Sequence, residues 1–258
     1  MAPLPAPDPA QGLFETLLVC AGEPVELDAH LDRLAASLAA LFGAELPPGV
    51  AEDVRARARG TGLGRMRIRV GPEGTAATLE SEDVDPADFF PSGERGANLR
   101  SLTRAGGLGR HKWADRRLLG EVAGGPVALL VDRGEVLEAG RANVFVAVGS
   151  ALFTPADDGR ILPGIARSGA IVAARAAGIE VSERALGRDE LLAAEEVFLT
   201  GSVRGVEPAR TLDGVPLPGA GPLSRRVGEG LRRRWLHGPS VAAAPAPAAA
   251  PRPGPLVR

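Results

Sequence analysis

A single lysine, Lys112, stands in the string Gly109-Arg-His-Lys-Trp-Ala-Asp-Arg-Arg117, and every other residue in the Lys+Arg total of 30 is arginine. Schiff-base chemistry needs a primary amine that can shed its proton and attack a carbonyl, which a guanidinium cannot do. An accident of composition accounts for a lone lysine equally well, so the other chemistry-bearing segments decide. Glu138, in Gly134-Glu-Val-Leu-Glu138-Ala-Gly-Arg-Ala-Asn143, is an acid that can hold a ring nitrogen protonated. In Ile161-Leu-Pro-Gly164-Ile165-Ala166-Arg167 a helix opens directly after a loop, where unpaired N–H groups and the positive dipole end favour an anion. Thr200 and Ser202 leave a strand for a glycine loop and offer hydroxyls, and Arg33 in His30-Leu-Asp-Arg33-Leu offers a cation. Together these groups suit a phosphorylated aldehyde. Each alone is ordinary: Leu-Pro-Gly is a common turn, Glu138 reads as a strand-end acid, Arg33 as a solvated helix face and His111 as a packing histidine. Their order and spacing are the specific signal.

The elements that must position these residues follow from periodicity. Leu13–Val19 reads as a strand, followed by a turn at Ala21-Gly22-Glu23-Pro24. Asp28 is the expected N-cap of an amphipathic helix carrying Leu31, Leu34, Leu38, Leu41 and Phe42 and ending near Gly43. Residues 51–59 predict a second helix. Met66, Ile68 and Val70 alternate with Arg67 and Arg69, a strand with one apolar and one cationic face. Either Arg67 or Arg69 can grip a substrate carboxylate. The Gly-, Pro- and acid-rich stretch 71–110 contains the expected domain junction near Asn98–Thr103. A short helix is expected after Lys112, through Leu118, Leu119 and Val122. Then come a buried strand at Val127–Val131, a hairpin of Val144–Val148 with Ala151–Thr154, a helix over Gly164–Ala177, a strand at Ile179–Ser182, a helix over Asp189–Ala194 and a strand at Val197–Thr200. Strands and helices interleave throughout, so the fold class is α/β in the mixed α+β sense. The Ala/Pro-rich segments 1–11 and 238–258 are predicted to be disordered. Between them lie a small N-terminal domain over 12–100 and a larger one over 101–237.

Apolar residues make up 45% of the chain, charged residues 24%, and the formal net charge is −2. That balance gives no reason to expect nucleic acid or an anionic membrane as partner, and no metal site is evident. One cysteine, Cys20, excludes an internal disulfide. With no secretory signal and no membrane-length apolar run, the expectation is a soluble, cytoplasmic protein.

The order Leu13-Phe-Glu-Thr16, His30-Leu-Asp-Arg33-Leu, Lys112, Glu138 with Asn143 five residues on, Gly164-Ile-Ala-Arg167 and Thr200-Gly-Ser202 resembles the class IV aminotransferase family over roughly residues 12–214. These are the fold-type IV pyridoxal-phosphate enzymes, which include branched-chain and D-amino-acid aminotransferases and 4-amino-4-deoxychorismate lyase. The resemblance implies a two-domain, D-amino-acid aminotransferase-like fold, pyridoxal 5'-phosphate as cofactor, a small-molecule amine substrate and a homodimer. It makes Lys112 the Schiff-base lysine and Glu138 the contact to the pyridine nitrogen, with Asn143 in the same cluster. Arg33, Ile165, Ala166 and Ser202 fall at the cofactor's phosphate, and Gly164 and Thr200 are expected to bind the cofactor beside them. Three departures stand out. The family's leading strand and its Asp-Arg-Gly and Gly-Asp-Gly segments do not precede Phe14. Its Gly-Ile-Thr-Arg reads Gly-Ile-Ala-Arg. There is no tyrosine after the lysine, where Arg116 or Arg117 takes the place. The abrupt start and the His111-Lys112…Arg116-Arg117 pattern look most like the lyase, which releases pyruvate and 4-aminobenzoate. A class IV aminotransferase acting on a branched-chain or D-amino acid is the alternative, and a non-catalytic pyridoxal-phosphate binder the third reading.

Overall fold

Strand β1 (Leu13–Cys20) is apolar at almost every position because both of its faces are covered. The structure, a computed structural model, describes residues 6–120 and 125–237. β1 is followed by β2 (Glu23–Pro24), α1 (Leu27–Phe42), α2 (Val50–Ala58), β3 (Leu63–Val70) and β4 (Ala77–Asp83). The four strands form an antiparallel sheet in the order β2-β1-β3-β4. Leu13, Leu17 and Val19 face α1 and α2 with Met66, Ile68 and Val70 of β3. Leu18 and Cys20 pack instead against the second sheet's layer. Burying each of these aliphatic side chains stabilises the fold by roughly 1.5–3 kcal/mol.

The second unit contains β5 (Ala97–Thr103), β6 (Val127–Asp132), β7 (Glu135–Ala139), β8 (Asn143–Val148), β9 (Ala151–Thr154), α3 (Ile165–Ala176), β10 (Glu180–Glu183), β11 (Leu186–Gly187), α4 (Arg188–Ala193), β12 (Glu196–Gly201), β13 (Gly205–Leu212), β14 (Val215–Pro216) and α5 (Pro222–His237). Its strands run in the order β10-β9-β8-β12-β13-β5-β6-β7-β11, with β14 on β13. β5 pairs parallel with β6 and β13, and β8 with β9 makes the expected hairpin. Helices α3 and α5 cover one face through Ala170, Ala174, Val227, Leu231 and Trp235. Beneath them Phe145 and Phe198 stack with centroids 5.1 Å apart. The mixed α+β class is as expected.

Several local expectations are corrected. The N-cap of α1 is Glu26, in the left-handed region at φ 53°, and Asp28 lies in the first turn, where an acid complements the dipole. The helix expected beyond Lys112 is a 3-10 turn over Arg117–Leu119; Val122 lies outside the described residues. β5 belongs wholly to the second sheet, so that sheet begins inside the 12–100 segment assigned to the smaller domain. Part of the segment expected to be disordered is ordered. Pro9–Gln11 forms a 3-10 turn capped by Asp8, whose N–H donates to Asp115 Oδ2 at 3.0 Å. The tail 238–258 lies outside the described residues.

Candidate active site

A cavity of about 380 Å³ opens between the two sheets and is lined by groups from eight separate stretches of the chain. The lysine segment reaches it by pairing along β1. Phe14 N–H donates to the Lys112 carbonyl at 3.0 Å, Ala114 N–H to the Gly12 carbonyl at 3.0 Å, and Leu13 bridges Trp113. The chain arrives from β5 through a tight loop. Gly107, at φ 66°, abuts the Arg160 carbonyl so closely that any side chain there would collide with it. Trp113 Nε1 donates to the Leu108 carbonyl at 3.1 Å, and His111 Nδ1 lies 3.0 Å from Ser37 Oγ. His111 is thus a hydrogen-bonding residue of the cavity wall.

Lys112 Nζ sits 4.9 Å from the centre of the Phe14 ring. Removal from water is the main influence on its amine. Glu15 opposes that influence, Arg33 and Arg116 add to it, and the amine falls to about 8. Across the cavity Glu138 is buried, and burial pushes its carboxyl up to about 7 despite a bond from Leu162 N–H at 3.1 Å and the charges of Lys112, Arg116 and Arg33. A dehydrated carboxyl poised near neutrality suits a partner that carries a proton.

The loop before α3 is fastened at successive residues. Leu162 N–H binds Glu138, the Leu162 carbonyl accepts from Asn143 Nδ2 at 3.0 Å, and the Pro163 carbonyl accepts from Arg33 Nη1 at 2.8 Å. Gly164 follows as N-cap without a side-chain cap, and a Cβ there would strike the Asn143 side-chain oxygen. Ile165 and Ala166 line the cavity in the first turn of the helix, where backbone N–H groups have no intrahelical partner. Thr200, Gly201 and Ser202 line the same region, and the Thr200 hydroxyl is buried without a hydrogen-bond partner. An orphaned hydroxyl, the N–H groups opening a 12-residue helix and a nearby arginine form a donor set that fits a phosphate. With Lys112 and Glu138 in the same cavity, the residues fit pyridoxal phosphate.

The sequence-predicted residues assemble with one exception. Lys112, Arg33, Glu138, Asn143, Gly164, Ile165, Ala166, Thr200 and Ser202 all line the cavity, as do Arg67 and Arg116. Arg69 shares the cationic face of β3 with Arg67 but is outside the lining; Arg65 is the neighbour that lines it. The reason is position along the strand, since Arg65 and Arg67 flank the cavity and Arg69 lies one pleat beyond. Arg67 packs 5.1 Å from the Phe14 ring centre, and Arg116 donates to the Gly140 carbonyl in the loop after Glu138. Arg117 is exposed and paired with Asp115, so Arg116 is the one at the site. Sequence reasoning missed Glu15, which is 1% exposed and binds Arg33. Its sequence signals are an acid inside an apolar strand, which must be paired, and its place in the Leu13-Phe-Glu-Thr16 segment. Among the described residues no cluster of His, Cys, Asp and Glu suits a metal ion, and no helix is long and apolar enough to cross a membrane.

Residues 12–86 and 114–212 match the family model for amino-transferase class IV. The branched-chain-amino-acid aminotransferase of Salmonella typhimurium is 30% identical over 192 residues, which are 72% of this chain and 58% of that protein. The chain thus spans less than two thirds of the length of such relatives. A hypothetical aminotransferase from Mycobacterium tuberculosis in its apo form superimposes with a TM-score of 0.74 at 26% identity, covering 92% of this chain and 94% of that one. A candidate 4-amino-4-deoxychorismate lyase from Legionella pneumophila shares the fold, with a TM-score of 0.71 at 23% identity over 87% and 91% of the two chains.

Proposed function

The chain belongs to the amino-transferase class IV family, and from that premise we propose that it is a pyridoxal-phosphate enzyme acting on a small amine through Lys112. What carries this reading is the placement of the one lysine and the buried acid Glu138 on the walls of a single cavity. The M. tuberculosis relative also exists in a PLP-bound form. When bound, pyridoxal phosphate supplies an aldehyde carbon and a ring that draws electrons from the amine-bearing carbon.

The chain's residues supply the rest. Lys112, with its amine lowered to about 8, is unprotonated in about one molecule in ten at pH 7, far more than an ordinary lysine, and so would serve as nucleophile and then as the base at the substrate carbon. Glu138 holds a proton at the ring nitrogen, and Asn143 fixes the loop that carries the Glu138 contact. Ile165 and Ala166 N–H, Thr200 and Ser202 hydroxyls and Arg33 receive the phosphate. Arg67 receives a substrate carboxylate, with Arg65 and Arg116 beside it.

The finer reading is 4-amino-4-deoxychorismate lyase, supported by the three guanidinium groups on the substrate side, which suit a substrate with two carboxylates. Proton removal and return by Lys112 accompany loss of pyruvate and leave 4-aminobenzoate. Transamination of a branched-chain or D-amino acid is the second reading, and the Salmonella relative favours it. A homodimer and a division into a small N-terminal and a larger C-terminal domain belong to the same proposal. The deciding experiment incubates the pyridoxal-phosphate-loaded protein with enzymatically generated aminodeoxychorismate and no keto acid. Equal, Lys112-dependent release of pyruvate and 4-aminobenzoate is expected. No release from protein with an intact cofactor spectrum sinks the lyase and leaves transamination. The Lys112→Arg variant is expected to lose the borohydride-reducible absorbance altogether.

A further inference from the structure

Glu15 lies on the opposite face of β1 from Phe14 and Thr16, between the sheet and α1, and does not itself line the cavity. Its carboxylate is nonetheless spoken for on both oxygens. Oε1 accepts from Arg33 Nε at 2.8 Å, and Oε2 accepts from Arg33 Nη2 at 2.7 Å and His30 Nδ1 at 2.8 Å. Burial works to raise this carboxyl, and the Arg33 and His30 partners overcome it and bring it to about 2. Being ionised it can only accept, so the proton on His30 sits on Nδ1.

The geometry constrains Arg33 from two sides. Nε and Nη2 form a fork on Glu15, while Nη1 reaches the Pro163 carbonyl at 2.8 Å. A guanidinium has five N–H donors, so two remain for an anion. Pro163 immediately precedes Gly164, whose backbone opens α3, and Leu162 one residue earlier carries the contacts to Glu138 and Asn143. The direction in which Arg33 points and the seat of the helix start are thus settled together by one buried carboxylate.

We propose that Glu15 is a positioning residue for the phosphate end of the cavity, holding Arg33 in the fork that both aims its remaining donors and pins Pro163 at the start of α3. This rests on the pyridoxal-phosphate reading of the site. Glu15 contributes by acting through Arg33 and makes no contact with cofactor or substrate. His30 completes the carboxylate's shell and fixes the rotation of the fork.

A role confined to the phosphate end has a readout that general loosening of the fold does not move: the ratio of affinities for pyridoxal phosphate and for pyridoxal, which lacks the phosphate. Both are titrated onto the full chain and followed by the absorbance of the bound chromophore. Glu15→Gln is expected to lower that ratio by about tenfold or more, the weight of one good charge-assisted contact, with pyridoxal affinity held within about twofold. An unchanged ratio, or equal loss for both ligands, overturns the proposal. Should Glu15→Gln fail to fold, Glu15→Asp decides: it keeps the charge on a shorter arm, and is expected to lower the ratio by about threefold, whereas a wild-type ratio overturns the proposal. In an Arg33→Lys background Glu15→Gln is expected to change the ratio no further, and additive losses show that Glu15 does not act through Arg33. A wild-type chain that binds neither ligand at Lys112 removes the cofactor reading and this proposal with it. Wild-type binding with an unaltered ratio in the variants removes this proposal alone.

Discussion

Lys112 and Glu138 are both held away from their ordinary protonation equilibria, and both displacements oppose folding near neutrality. Glu138 has a folded value of about 7 against 4.5 for an unperturbed glutamate. Its charged form is therefore disfavoured by the fold, and the cost grows as pH rises from 4.5 and is complete above 7. Lys112 behaves in the mirror sense: its cost is complete below about 8 and fades as pH rises toward 10.5. Glu138→Gln is accordingly expected to stabilise the protein stripped of pyridoxal phosphate at pH 8, by an amount of up to about 3 kcal/mol. The difference from wild type should shrink below pH 7 and vanish near 4.5. Urea unfolding across that range measures it, and a variant no more stable than wild type at pH 8 contradicts the assigned burial cost. The same substitution should weaken pyridoxal-phosphate binding, so stability and binding move in opposite directions.

At the level of elements, β3 shows how one strand divides its tasks by face. Met66, Ile68 and Val70 fill the core under α1 and α2, while Arg65 and Arg67 line the cavity. Arg67→Ala is expected to raise KM for the productive substrate by about tenfold, and Arg69→Ala to leave it within about twofold. Steady-state kinetics on the two variants separates them, and equal effects would mean that the pleat position does not select the ligand residue. This strand was legible in the sequence because its alternation is strict, and α3 and the β8–β9 hairpin were legible for similar reasons of period and turn. β4, with five of its seven residues exposed, carries no apolar signal, and its edge position is set only by pairing with β3. α5 is rich in arginine and broken by Gly228 and Gly230, so its buried stripe of Val227, Leu231 and Trp235 is hard to see without the sheet it covers. The helix start at Gly164 was legible, yet its crowding against Asn143 appears only when β8 and the loop meet.

Over the whole molecule, the connection between the sheets is clamped where it passes the cavity mouth. Asp88 and Asp85 both pair with Arg95, and Arg204 Nη1 lies 3.0 Å from Asp88. Arg204 Nε also lies 3.0 Å from Glu207, a buried acid that Arg141 contacts at 2.8 Å. Arg204→Ala removes one of two cations beside a dehydrated carboxylate and is expected to destabilise the protein by about 1–3 kcal/mol, read as a lower urea midpoint. An unchanged midpoint would show that Arg141 alone suffices. The Asp88–Arg204 link at the centre of this clamp was not legible in the sequence, since it joins residues more than 100 positions apart. The same holds for Glu15, whose partners in α1 are set by the packing of that helix on the sheet. Lys112 and Glu138 were legible because their chemistry restricts which residue types can stand there.

The enclosure of the sole lysine also governs how the protein meets reagents in solution. Among the 258 residues no other side chain carries a primary amine. An acylating or reductively alkylating probe small enough to enter therefore reports on that cavity with a stoichiometry of one. A probe too bulky to enter finds no lysine on the exterior to react with.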